Sequence, residues 1–127
     1  LQDPASTLVT RYAAFAPGEL VADLCAAPGG KTLELARTAG IVFAGDASFA
    51  RLARVRDNLR RLDAANVVPF VGDARFPAVR GVDAVLIDVP CTGTGTSAVI
   101  PMRGGAESLN VAGAAAICMY QSARAQA

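Results

Sequence analysis

Asp23-Leu-Cys-Ala-Ala-Pro-Gly-Gly-Lys-Thr32 follows the apolar run Glu19 to Leu24 and leads into Lys31 to Thr38, a segment of helical patterning closed by Gly40. The run reads as a buried strand and the segment after it as a helix, so Gly29 and Gly30 fall at the turn between them. In α/β proteins that turn is where a nucleotide-like cofactor binds. Glycines without Cβ atoms let the backbone approach a ligand, and the free N–H groups at a helix start favour electronegative atoms. An ordinary tight strand-to-helix turn also uses such a glycine pair, but the whole decapeptide is more specific than a lone G-x-G-x-x-G.

Working outward, three more apolar runs read as strands: Ile41 to Gly45, Val67 to Val71 and Val82 to Ile87. Between the second and third strands, Ala50 to Leu62 places Leu52, Val55, Leu59 and Leu62 on one helical face. Strand, helix, strand, helix, strand and then a short connection to a strand predicts an α/β fold with a mainly parallel sheet and right-handed crossovers. Asp46, Asp73 and Asp88 each end or follow one of these strands, which puts three acids on one rim. Asp46 stands where an acid accepts hydrogen bonds from ribose hydroxyls, or else where an acid begins a helix beside a capping Ser48. Asp73, in Val71-Gly-Asp-Ala-Arg75, reads either as an acceptor for an adenine amino group or as a turn aspartate. Arg51 opens its helix beside Asp46, where it can orient that acid or reach a cofactor.

The loop and its surroundings resemble the RNA cytosine-5 methyltransferases of the Sun/Fmu type, which use S-adenosyl-L-methionine. The resemblance runs from Gln2-Asp3-Pro-Ala-Ser6 through Pro17-Gly18-Glu19 to Asp88-Val-Pro-Cys-Thr-Gly-Thr-Gly-Thr96, close to that family's D-x-P-C-S-G-x-G with Thr92 in place of Ser. It implies a partial Rossmann-like methyltransferase sheet of order 3-2-1-4. It also implies a cofactor wrapped by Cys25, Ala26, Ala27, Pro28, Gly29, Gly30 and Lys31, with Asp46, Asp73 and Asp88 completing the pocket. RNA, ribosomal or transfer, is the implied partner.

Cytosine C5 is not nucleophilic until a cysteine thiolate adds to C6; the adduct then takes the methyl group, and loss of the C5 proton frees the thiol. An acid must stabilise charge on the pyrimidine, and Asp88, three residues before Cys91, is placed to contact the ring at N3. Cys91 and Asp88 are therefore the catalytic candidates. In the RNA family the cysteine at the position of Cys91 helps product release and a second one, in a later Thr-Cys motif, attacks; DNA cytosine-5 methyltransferases attack with the Pro-Cys cysteine itself. A packed thiol in a Gly-rich loop is the structural alternative for Cys91. These 127 residues contain no such Thr-Cys motif, and Cys118, in an apolar Ala-rich stretch, reads as a buried small hydrophobe. Asp23 and Lys31 read as supports of the loop and its helix, and Asp3 as a helix cap.

After Thr96 the sequence changes character. Ile100-Pro-Met-Arg-Gly-Gly-Ala-Glu-Ser-Leu-Asn-Val-Ala-Gly-Ala-Ala-Ala-Ile-Cys-Met-Tyr120 resembles the last motif of the SpoU-type trefoil-knot methyltransferases, I-P-M-x-G-x-x-x-S-L-N-V-x-x-A-A-A-I, which methylate ribose 2′-hydroxyls. The expected organisation is a partial methyltransferase domain over 1–96 and a SpoU-like loop and helix over 97–127, with the helix, roughly Leu109 to Arg124, on an exposed sheet face or edge.

At 127 residues, 53% hydrophobic and 18% charged, the chain suits one core but is small for a complete methyltransferase. A formal net charge of +1 says little about nucleic acid, although five arginines fall between Arg51 and Arg61. That group flanks an apolar helix face and reads as solvated surface. With no Trp or His and seven scattered aromatics, no stacking platform for single-stranded RNA is visible. No run is long enough to span a bilayer, the start lacks signal-peptide features, and Cys25, Cys91 and Cys118 match neither a zinc site nor a disulfide framework, so the expectation is a cytoplasmic protein with free thiols and no metal. Three rivals stay open: a nicotinamide dehydrogenase, whose glycine spacing is absent; a ribose methyltransferase, which rests on the tail alone; and a non-catalytic cofactor-binding fusion product.

Overall fold

The computed structural model describes residues 16–89 and 96–101, the second stretch and Val89 as backbone only. The expectations for Asp3, Cys91, Cys118 and the tail helix lie outside these residues. The described elements are β1 (Leu20–Asp23), α1 (Gly30–Ala36), β2 (Ile41–Asp46), α2 (Phe49–Arg61), β3 (Val67–Val71), β4 (Ala84–Val89) and β5 (Thr96–Pro101), in one sheet of order β3-β2-β1-β4-β5.

The first four strands are parallel, in the 3-2-1-4 order implied by the resemblance. Parallel strands covered on both faces are apolar at successive positions rather than alternating, and β1 shows this: Val21 and Ala22 point to opposite faces and both are fully buried. On one face Val21, Val42, Ala44 and Leu86 pack against Leu35 of α1 and Leu52, Val55 and Leu59 of α2. On the other, Ala22, Leu24, Val85 and Ile87 gather Phe43 and Phe70.

The fifth strand was not anticipated. It pairs antiparallel with β4 from Ala84↔Pro101 to Val89↔Thr96, giving β4's outer backbone groups the partners that an open edge lacks. Strand pairing thus continues past residue 96, where the expected domain boundary lies.

Helix α2 shows why its boundaries were legible. Leu52, Val55 and Leu59 make the buried stripe, Ser48 Oγ caps the start by accepting from Arg51 N at 3.3 Å, and Arg60 and Arg61 sit in the last turn, where the helix dipole favours cations. Helix α1 is only 7 residues long, too short to be stable alone, and is held by Leu35 in the core. Its N-cap, Gly29, has φ 108°, a left-handed conformation that a side chain resists.

Candidate functional site

The β1–α1 loop is stitched between its neighbours by backbone hydrogen bonds. Leu24 N donates to Leu86 O of β4 at 3.0 Å and Ala26 N to Gly45 O of β2 at 2.9 Å, while Asn58 Nδ2 of α2 donates to Pro28 O at 2.9 Å. Ala26 and Gly29 are buried, Cys25, Ala27, Gly30 and Lys31 half-buried, and Pro28 exposed. A Cβ built on Gly30 meets no atom within 4 Å, so this glycine leaves open space before the loop.

Asp23 closes β1 with 1% exposure. Its Oδ2 accepts from Thr32 Oγ1 at 2.7 Å and its Oδ1 from Cys25 N at 3.4 Å, so the acid ties the loop to the first turns of α1. Burial pushes its pKa up to about 6, and the hydrogen bonds from Thr32 and Cys25 only partly oppose that. The same desolvation, reinforced by Asp23, Asp46 and Asp88, pushes the Cys25 thiol up to about 11. At neutral pH Cys25 is a protonated thiol, which suits a packing role and not a nucleophile's.

Asp46, 2% exposed, ends β2. One carboxylate oxygen accepts from Ser48 N at 2.9 Å and lies 2.9 Å from Arg51 Nη2; the other accepts from Ala27 N at 3.4 Å. Ser48 thus caps the helix beside Asp46, as one sequence reading has it, and Arg51 is paired with the acid. Lys31 Nζ forms an ion pair with Asp88 Oδ2, joining the first turn of α1 to β4. Gly72 N donates to Asp46 O at 3.0 Å, drawing the segment after β3 to the same rim.

Asp73 sits differently. Arg75 encloses its carboxylate, donating from its backbone N at 2.9 Å, from Nε at 3.0 Å and from Nη2 at 2.6 Å. Those bonds hold Asp73 down at about 2. The turn-aspartate geometry is therefore present, and the side chain stays 38% exposed.

The structure thus brings Cys25 through Lys31, Asp46, Arg51, Asp73 and Asp88 to the carboxyl ends of the four parallel strands, where open α/β sheets bind ligands. Cys91, the other catalytic candidate, lies outside the described residues. Three contributors were missed. Thr32 and Arg75 stand inside stretches already singled out, and a hydroxyl or guanidinium next to an acid is the signal that marks them; Asn58, 30 residues from its partner, carries none. An open groove lined by Leu33, Arg37, Leu62 and Asn66 lies at the far end of the helices, away from these acids. Among the described residues no group of three His, Cys, Asp or Glu side chains is disposed to hold a metal ion.

Residues 12–101 match the family described as 16S rRNA methyltransferase RsmB/F. The chain is 46% identical over 101 residues to ribosomal RNA small subunit methyltransferase B of Vibrio cholerae, covering 75% of this chain and 23% of that protein. It is 45% identical over 85 residues to the 26S rRNA (cytosine-C(5))-methyltransferase nsun-1 of Caenorhabditis elegans, covering 62% of this chain and 13% of the relative. Among solved structures, NSun6 from Pyrococcus horikoshii with SFG superposes with a TM-score of 0.65 at 34% identity, over 71% of this chain and 25% of that one. The chain spans about a quarter or less of the length of these relatives.

Proposed function

The chain belongs to the 16S rRNA methyltransferase RsmB/F family, and from that premise we propose that it carries the methyl-donor half of an RNA cytosine-5 methyltransferase with S-adenosylmethionine as donor and ribosomal RNA as substrate. The observation that carries the reading is the meeting, on one sheet rim, of a pinned acid at the end of β2 with the Lys31–Asp88 pair at the end of β4. In this reading the first serves the donor's nucleoside and the second the pyrimidine. The fit of the donor rests on the open space before Gly30 and on the relative solved with SFG, an analogue of the same donor. S-adenosylmethionine supplies an electrophilic methyl group when bound.

The chain's own residues divide the remaining work. The backbone from Cys25 to Lys31 wraps the donor, Asp46 accepts from ribose hydroxyls while Arg51 holds it in place, and Asp73 accepts from the adenine amino group. Asp88 hands a proton to cytosine N3 as the thiolate adds to C6, with the Lys31 ammonium pairing the carboxylate left behind, and Cys91 is the thiol at the base. Cys25 is set aside by its high pKa. The SpoU-like tail is read as an appended segment; the family match ends at residue 101, the last residue of β5, which supports a boundary at the end of that strand. No helix of the described residues is long and apolar enough to cross a membrane, and the cytoplasm is the proposed compartment.

Titration calorimetry tests the donor: S-adenosylmethionine or S-adenosylhomocysteine binds more tightly than NAD, and the reverse order rejects the pocket. These 127 residues by themselves are expected to have little turnover, because one ambiguous thiol stands where the family uses two. Incubation with 5-fluorocytosine RNA and donor, followed by a denaturing gel, checks this. A covalent complex that disappears in Cys91→Ser makes the chain a working enzyme with Cys91 as nucleophile.

A further inference from the structure

Two aromatic side chains on the candidate rim are left uncovered: Phe49 is 66% exposed and Phe76 is 76% exposed. Each stands three residues beyond a rim acid, Phe49 after Asp46 as the first residue of α2, and Phe76 after Asp73. Because β2 and β3 are hydrogen-bonded neighbours with Asp46 opposite Val71, the two phenyl rings follow adjacent strands at the same end of the sheet. Each carries a guanidinium at cation–π range, Arg56 lying 5.8 Å from the Phe49 ring centre and Arg75 6.0 Å from that of Phe76. Arg54, further along the first turns of α2, is exposed as well, beside the exposed acid Asp57.

We propose that Phe76 with Arg75, and Phe49 with Arg56, form a stacking rim that takes unpaired bases of the RNA substrate beside the donor pocket, an inference that rests on the methyltransferase reading above. A phenyl ring open to solvent offers a face to any base, and arginine can stack on a base or pair with a phosphate in a way that a merely apolar protein contact does not require. Exposed aromatics interleaved with arginines, on a chain whose formal charge is only +1, place positive charge where a nucleic-acid strand would pass. The platform escapes the sequence because 26 residues separate the two rings, and pairing of β2 with β3 is what brings them to one end.

The test uses the chain as it stands, a short single-stranded RNA containing 2-aminopurine, and three variants, Phe76→Leu, Phe76→Tyr and Phe49→Leu. Base stacking on an aromatic predicts about tenfold weaker RNA binding and loss of 2-aminopurine quenching in Phe76→Leu, a smaller loss in Phe49→Leu, and retention of both signals in Phe76→Tyr. Both rings are exposed, so melting temperature and donor affinity should stay at the wild-type level. Unchanged RNA affinity and quenching in Phe76→Leu, as for an aromatic that packs on another protein surface, overturns the proposal; so does absence of RNA binding by the wild-type chain. Failure of the wild-type chain to bind donor strikes the methyltransferase reading instead, while the RNA comparison still decides the stacking rim.

Discussion

Asp46 and Asp73 mark the ends of neighbouring parallel strands, yet the protein treats them in opposite ways. Asp46 is almost fully buried and held by two backbone amides and an arginine that come from both sides of it in the chain, Ala27, Ser48 and Arg51. Asp73 is open to solvent and is held within its own turn by Arg75. The β1–β2 side of the rim is thus set by the tertiary structure before anything binds, whereas the β3 side is organised locally and presents exposed groups. A donor recognised across both sides would meet a rigid half first and draw the other half into order, at the entropic cost that ordering long side chains carries.

The sharpest way to break this contrast is through Asp23, the most deeply enclosed acid of the rigid half. Its folded pKa of about 6 lies above the ordinary value of 3.8, so the native state holds the proton more tightly than the unfolded chain does. Stability from this group is fully present below pH 3.8 and is lost as pH rises through about 6, a change on the order of 3 kcal/mol. Asp23→Asn, which keeps the side chain's shape without its ionisation, should flatten the denaturation midpoint between those pH values in urea melts. An unchanged pH slope would place the titrating group elsewhere.

Next in size is Asp46→Ala, which leaves the amides of Ala27 and Ser48 without their acceptor and Arg51 without its partner. We expect a loss of about 2 kcal/mol of stability, and methyl-donor affinity about ten- to a hundredfold weaker by calorimetry. Asp73→Ala, on the open side, should leave the urea midpoint close to that of the wild type and weaken the donor by at most about tenfold. Equal destabilisation by the two substitutions would erase the distinction between the halves.

The smallest effect is the most local. Arg75→Ala removes the guanidinium from Asp73, whose carboxylate should then titrate nearer 3.8 than its present value of about 2, as followed by side-chain carboxyl NMR shifts. An unmoved titration would mean that the backbone amide alone holds the charge.

The legible parts of the fold were those with a local cause. Val67–Val71 forms the strand expected of it, and β1, β2, α1 and α2 differ from expectation by at most two residues at either end, because buried parallel strands are apolar runs and α2 carries both a cap and a periodic stripe. Strand β4 starts two residues later than expected, with Asp83 turned to bond Leu20 N through Oδ2 and Leu20 O through its own N–H. Strand β5 had no such signal, since its role is to pair β4's edge and that need appears only when the sheet is assembled. In the site, the pairing of Arg51 with Asp46 was readable because Arg51 opens its helix beside that acid. Asn58 reaching Pro28 across 30 residues was not.

From the sequence alone came the glycine turn after β1, the alternation that makes a parallel sheet, and the acids standing at strand ends, because backbone conformation, hydrophobic period and chain order are properties of neighbours along the chain. Tertiary structure alone decided which acids are sealed, which cations they meet, how far the Cys25 thiol is held from reacting, and that two distant phenyl rings share one end of the sheet. Desolvation and charge pairing fall off over a few ångströms in space, and no spacing along the chain encodes which groups the folded sheet will place within that reach.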